Sequence, residues 1–456
     1  MNVCKKIGKT IWNNRRLVFI FIFSFLVYEF IAFPNNNGDP IAMYSFSHAI
    51  KTGEVPYRDF SIISTPLYAF LMSIGLFIFD NYLMFILEQC ILVTVLFYFL
   101  FKMYDKKAWL ILFGMCLIQF FGFIPTYNFL CFLFIVILVY VEKNYPDMDY
   151  LIGFLLGLAF FSKHTVGAFL VLTTCIIHFK ELKKLFKRAV GFLIPCVILS
   201  IYLIATDSFY DFINLTILGL FDFGNNNSNF QGKFFWLSLL LLSLMLIIFL
   251  RNREVKYKYT LYLLCGFVFC IPLFDTNHFG LFFNCFCIFL MNYIDFGIKI
   301  NFCANLSIGI TALFSVLYFI CVNSFGGVFY KELNHFQYMY NFKSDYENDL
   351  KVNSFLNKYS NKNMVILSGY TMFFDITHDR EINYFDVLLY GNHGYNGTKT
   401  LIKKIEEQEN LYIIVDIDKY NKNVSTSQYN IEVVEYVLKN YKKIDSKYSF
   451  DVYYKK

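Results

Sequence analysis

Apolar runs recur along most of this chain, separated by short polar or charged stretches. They cover 17–33, 82–101, 108–124, 128–141, 150–162, 165–178, 189–205, 234–250, 259–274, 280–297 and 302–322. A hydrocarbon core about 30 Å thick takes roughly 20 apolar residues of helix, fewer where the bilayer thins. The pattern predicts an α-helical polytopic membrane protein with about 11 transmembrane helices. One further run, "PLYAFLMSIGLFIF" at 66–79, is short and opens on Pro66. It is expected as an interfacial or re-entrant helix.

The stretch 150–178 is too long for one crossing and tight for two, so a break is expected at Ser162, Lys163 and His164. Gly153 and Gly157 give the small-residue spacing that lets a neighbouring helix approach closely. After Phe325 the apolar runs stop. "NMVILS" (363–368), "LYIIVDI" (411–417) and "YSFDVYY" (448–454) read as strands, and 398–409 and 431–441 as helices. Two domains are expected: a multi-span membrane domain over 1–324, with an outer loop at 34–81, and an extracytoplasmic α/β domain over 325–456, long enough to bury its own core.

Composition agrees with the membrane class. Of 456 residues, 57% are hydrophobic and only 16% charged, a balance that would leave a soluble protein with an oily surface. The net charge of +6 is modest, and its distribution carries more information than its size. Basic residues gather in cytoplasmic loops. With residues 1–16 inside, the stretches around Lys102 to Lys107, Lys180 to Arg188 and Arg251 to Lys258 also face inward, provided that 66–79 does not cross. The segments 34–81, 206–233, 275–279 and everything after about 323 then face outward; apart from the tail, they hold only Lys51, Arg58 and Lys233. The basic residues thus report topology, and no nucleic-acid partner is expected. The 12 cysteines sit mostly inside apolar runs, where they act as small hydrophobes, and imply no disulfide framework.

The ionisable residues that look out of place fall on the outward side. Asp39, His48, Glu54, Arg58 and Asp59 lie in the first loop, Glu88 in the outer half of the second span, Lys163 and His164 at a helix junction, Asp207, Asp211 and Asp222 in the segment 206–233, and Asp275 and His278 in the short later loop. Ionisable groups at or in a membrane are costly unless paired or functional, so the set is a candidate site. Each member also has a plainer reading. Asp39 could cap the helix that follows it, Arg58 and Asp59 could pin a turn after Pro56, Lys163 could snorkel to the interface, and His278 could be a loop hydrogen-bond donor. P-loop, dinucleotide-binding, HExxH and GxSxG signatures are missing from the sequence.

The order of features resembles the GT-C superfamily of membrane glycosyltransferases, which includes the protein O-mannosyltransferases and the lipid A aminoarabinose transferases. The residues that carry the likeness are "GDPIAMY", "GEVPYRDF" and "TPLYAFL" in the first loop, "GFLLGLAFFSKHT" at the break, and "DTNHFG" in the later loop. The resemblance implies extracytoplasmic transfer of a sugar from a polyprenyl-phosphate donor to an acceptor. Asp39 is then the expected base, with Arg58, Lys163 and His278 as cations for the leaving phosphate and Tyr57 and Asp59 completing the substrate-binding set. Many members follow the first-loop Asp with Glu, whereas Pro40 follows here. A second carboxylate would have to come from Glu54, Asp59 or a later loop, and a divalent metal ion stays open as a cofactor. Abundant Asn, Lys, Ile, Phe and Tyr with scarce Trp point to an AT-rich bacterial source, and so to a cell-surface glycan, lipid or protein acceptor. The alternative is a secondary transporter or lipid flippase, although the internal repeats usual in transporters are not evident.

Overall fold

The computed structural model of the chain describes residues 14–33, 38–119, 125–227, 232–252, 255–293, 326–368, 372–382, 384–423 and 429–455, with residues 309 and 320. The expected span 302–322 lies outside them but for those two residues, as do the ends of the runs 108–124 and 280–297. The chain forms two compact units. A helical unit comprises Met1–Asn37, Leu83–Cys196 and Phe230–Gly327; a mixed unit comprises Gly38–Tyr82, Val197–Asn229 and Val328–Lys456.

Among the described residues, four helices are long and apolar enough to cross a membrane: Tyr82–Met115, Tyr127–Asn144, Leu182–Ala205 and Lys233–Arg251. The first is interrupted by a 3-10 turn at Asp105–Lys107, where Asp105 takes a φ of 44° and receives the Arg16 guanidinium at 2.6 Å. The expected break in 150–178 is present. The helix Asp149–Phe160 ends, Lys163 is extended, and the helix His164–Ile177 follows. Gly153 and Gly157 do what their spacing predicts. A Cβ on Gly153 would lie 2.0 Å from the Arg188 carbonyl oxygen, and one on Gly157 would lie 2.4 Å from the Pro195 ring, so the helix Leu182–Ala205 packs directly on this face. That approach seats Arg188, whose side chain is 2% exposed, between Glu142 and Asp149. Its Nε donates to Asp149 at 3.1 Å and its Nη atoms donate to Glu142, which also accepts the Tyr262 hydroxyl at 3.0 Å.

The run 259–274 differs from the expected single span. It is built of a 3-10 turn Val255–Thr260, one α-turn Leu261–Leu264 and a second 3-10 stretch Cys265–Cys270. Gly266, against which Cys285 packs too closely for a Cβ, and Pro272 interrupt regular winding there. The basic stretches of this unit gather around one cavity of about 980 Å³, lined by Lys102, Lys107, Lys143, His178, Lys184 and Lys258 among others. Outward-facing apolar side chains such as Ile198, Ile201, Trp236, Leu240 and Ile247 are more than half exposed along the helices Leu182–Ala205 and Lys233–Arg251. Faces of that kind suit contact with lipid, in keeping with helices long and apolar enough to cross a membrane.

In the mixed unit, four strands form one sheet: β1 (Met364–Leu367), β2 (Leu411–Asp416), β3 (Lys442–Lys447) and β4 (Phe450–Lys455), in the order β1-β2-β4-β3. β1 and β2 are parallel, and the other pairs antiparallel. Because strand side chains alternate, Leu411, Ile413 and Val415 pack with Leu401, Ile405, Val433 and Val437 on one face, while Ile414 packs with Val352, Phe355 and Leu356 on the other. The run 66–79 is a helix of 10 residues, Leu67–Leu76, packed on the helix Gly38–Thr52. At about 1.5 Å per residue it is far too short to cross. The segment after Val197 is tied to the tail by glycines that admit no Cβ. One on Gly391 would lie 2.3 Å from Phe223 Cα, and one on Gly394, 2.8 Å from the Asn214 amide.

Candidate functional site

In the mixed unit the candidate residues follow the chain from Gly38. Asp39 is exposed in the first turn of the helix Gly38–Thr52, where the helix dipole favours a negative charge. Pro40 suits the next position because a first-turn residue has no intrahelical N–H bond to lose. The helix ends at Gly53, whose φ of 100° turns the chain into "EVPYRDF". Asp59 closes that turn by accepting the Val55 N–H at 2.7 Å, and Arg58 grips the same carboxylate with both arms, Nε at 2.8 Å and Nη2 at 2.9 Å. The Arg58 hydrogen bond holds the Asp59 carboxyl below the usual range, although burial opposes it. A third contact, Nη1 to the Thr206 carbonyl at 3.3 Å, leaves guanidinium donors to spare, and the side chain is 47% exposed.

Tyr57 sits inside the turn with no exposed surface and a φ of 74°. Its hydroxyl donates to the Ser64 carbonyl at 2.9 Å, its own carbonyl accepts the Tyr384 hydroxyl, and its ring meets Phe212 edge-on. Glu54, at the mouth of the turn, is unlike its neighbours. Burial, with the charges of Glu381 and Asp59 adding to it, pushes its carboxyl up to about 8, so it carries a proton at neutral pH. A cavity of about 590 Å³ in this unit is lined by Asp59, Arg380, Glu381, Tyr384, Lys404 and Glu407.

In the helical unit the break at 161–163 holds Lys163 half-buried. Its ammonium donates to the Phe269 carbonyl at 3.4 Å and lies 5.4 Å from the centre of that ring, a contact that offsets part of its lost hydration. His164 Nε2 and Thr165 Oγ1, the next two polar groups, are buried without a hydrogen-bond partner, which marks a place where water or a ligand group is needed. His278 lies in the first turn of the helix Thr276–Tyr293. Asp275 accepts from its backbone N–H at 2.9 Å and from its Nδ1 at 2.8 Å. Burial raises the Asp275 carboxyl, but the His278 bond and charge outweigh it and leave it below the usual range. With Nδ1 engaged, Nε2 points toward the Asn128 amide at 3.5 Å, and the Asn128 carbonyl oxygen is buried without a partner.

The structure therefore brings Arg58 together with Asp59 on the turn that Tyr57 anchors, and His278 together with Asp275 and Asn128. Sequence reasoning named Asp275 as a polar outlier and overlooked its orienting role, although its i,i+3 spacing from His278 was legible. Nothing local pointed to Asn128. Among the described residues, one trio has metal-ligand geometry: His48, Asp80 and His335, whose ligand atoms all lie within 4.8 Å of one another.

No protein-family model matches the sequence, and no curated protein matches it. Among solved structures, ArnT from Cupriavidus metallidurans in the apo state is similar at a TM-score of 0.51 and 10% identity, over 98% of this chain and 98% of that one. The Archaeoglobus fulgidus oligosaccharyltransferase, in complex with Zn and sulfate, aligns at a TM-score of 0.41 and 11% identity, over 89% of this chain and 68% of that one. The end-to-end likeness to ArnT is one of fold, and the chain has a GT-C-like fold.

Proposed function

From that fold, we propose that the chain transfers a sugar from a polyprenyl-phosphate carrier to a cell-envelope acceptor on the extracytoplasmic side of a membrane. One observation carries the reading: the likeness to ArnT runs along the whole of both chains, tail included. Two others support it. Three of the four segments that the charge pattern assigns to the outside, around 34–81, 206–233 and the tail, fall in one unit, while the short 275–279 belongs to the other. Residues of three stretches assigned to the inside, around Lys102 to Lys107, Lys184 and Lys258, line a common cavity in that other unit. About 11 crossings remain the proposed count.

In the proposed step the acceptor hydroxyl oxygen attacks the anomeric carbon, the bond from that carbon to the phosphate oxygen breaks, and the lipid phosphate leaves with the electron pair. Asp39 takes the hydroxyl proton. A side-chain base contributes about 10²- to 10⁴-fold to such a step. Arg58, Lys163 and His278 are assigned as cations for the phosphate, each favouring the charge that grows on it. Asp59 aims Arg58, Tyr57 holds the turn that presents it, and Asp275 orients the His278 ring. The exposed apolar residues Ile74, Phe77, Ile78 and Phe79, which end the helix Leu67–Leu76 and the turn after it, fit an interfacial position beside a lipid-linked donor.

The test is to reconstitute the purified chain in vesicles with labelled polyprenyl-phosphate sugars and envelope acceptors. Label moving from lipid to acceptor supports the transferase. Accumulation of a solute, or of flipped lipid, with no transfer from any donor would replace it with the transporter or flippase reading.

A further inference from the structure

Within the mixed unit, three residues far apart in sequence meet around one carboxylate. His48 comes from the helix Gly38–Thr52, Asp80 follows the helix Leu67–Leu76, and His335 lies in the tail, 255 positions from Asp80. His48 Nε2 is 3.3 Å and His335 Nδ1 3.6 Å from the same oxygen, Asp80 Oδ2. A tetrahedral ion about 2.0 to 2.1 Å from each ligand separates ligand atoms by roughly 3.3 Å, close to both distances to Asp80, and the three ligand atoms, all within 4.8 Å of one another, would draw together around it.

Three further features go beyond a chance meeting of charges. His335 Nε2 lies 2.9 Å from Asp379 Oδ1. A carboxylate only accepts, so Nε2 donates to it, while Nδ1 faces a second acceptor, the Asp80 backbone carbonyl at 3.1 Å, whose place an ion beside Oδ2 would take; a carboxylate behind the imidazole is how metal-binding histidines are fixed. The second Asp80 oxygen, Oδ1, is buried with no hydrogen-bond partner. His335 also holds a φ of 63°, uncommon outside glycine, while its carbonyl accepts the Tyr82 N–H at 2.8 Å. One group competes: the Lys51 ammonium sits 2.8 Å from Asp80 Oδ2. With a side chain 26% exposed, it has a route to solvent.

We propose that His48, Asp80 and His335 form a binding site for a divalent zinc-class ion, with Asp379 as the outer partner of His335 and Lys51 displaced when the ion enters. Two imidazoles and one carboxylate suit zinc and disfavour magnesium or calcium, which prefer all-oxygen shells. The ion would clamp the far end of the helix Gly38–Thr52 to the tail, a structural role that stands apart from the transfer reaction.

The experiment strips the purified full chain in detergent with a chelator, re-equilibrates it with buffered zinc in excess magnesium, and counts bound metal. One zinc per chain is expected. His48→Ala and Asp80→Asn should each weaken it at least 100-fold, and Asp379→Asn about 10- to 100-fold. Lys51→Met is the discriminating variant, because loss of the competing ammonium should tighten zinc several-fold, whereas a plain ion-pair cluster would bind none. Cobalt in the unmutated chain should give the visible absorption of a four-coordinate nitrogen and oxygen site, a readout that does not depend on any variant folding. Absence of stoichiometric zinc in the unmutated chain, zinc retained in Asp80→Asn, or weaker binding in Lys51→Met would each overturn the site.

Discussion

The two units treat charge in opposite ways. In the helical unit Arg188 is enclosed, and every arm of its guanidinium is spoken for by Glu142 or Asp149. In the mixed unit Arg58 holds a comparable bidentate pair with Asp59, yet stands half in solvent with donors unused. The geometry is similar and the energetics are not. A buried pair has surrendered its water and depends on its partner, whereas an exposed pair loses little when separated. An arginine that must hold helices together belongs in the first setting, and one that must remain available to a phosphate belongs in the second.

That contrast can be broken by substitution. The largest effect is expected for Arg188→Met, which leaves Glu142 and Asp149 buried without their cation and should cost about 3 to 5 kcal/mol in reversible unfolding from mixed micelles. Arg58→Met should move the same transition far less, and an equal loss at both sites would erase the distinction. Next comes Gly153→Ala. Its methyl would meet the Arg188 carbonyl, helix against helix, so about 2 to 3 kcal/mol is expected. Gly53→Ala meets nothing within 4 Å and suffers only from its φ of 100°, at about 1 kcal/mol. Thermal midpoints of the two alanine variants should rank in that order.

A further effect, of similar size, depends on pH. Glu54 is raised from its ordinary value of 4.5 to about 8 in the folded chain, so the folded state holds this proton more tightly than the unfolded one. Its stabilising contribution is complete below about pH 4.5 and is lost as the pH rises through about 8. Glu54 is partly open to solvent, so screening reduces the swing to about 1 to 2 kcal/mol. Glu54→Gln should flatten this part of the stability profile and be the more stable form at pH 9. An unchanged slope would mean that the carboxyl is ionised at neutral pH.

Much of this arrangement was legible in the sequence where one local rule dominates. The alternation in "LYIIVDI" gave a strand whose two faces serve two cores, and Gly153 and Gly157 gave a close helix contact. The charged pair after Pro56 gave a pinned turn. The edge strand β3, "KKIDSK", escaped because both its faces are wet and it has no apolar alternation to read. The 3-10 winding of 255–270 escaped because hydropathy senses solvent and not helical pitch. His48, Asp80 and His335 could not be grouped at all, since their meeting is set by tertiary packing and none lies within a short motif of another.

The central claim is that Asp39 removes the proton from the acceptor. The most direct measurement is the single-turnover rate of sugar transfer by Asp39→Asn, beside unmutated chain at saturating lipid-linked donor. A fall of about 10²- to 10⁴-fold with donor binding unchanged is predicted. Transfer at the unmutated rate would contradict it and move the base role to another carboxylate.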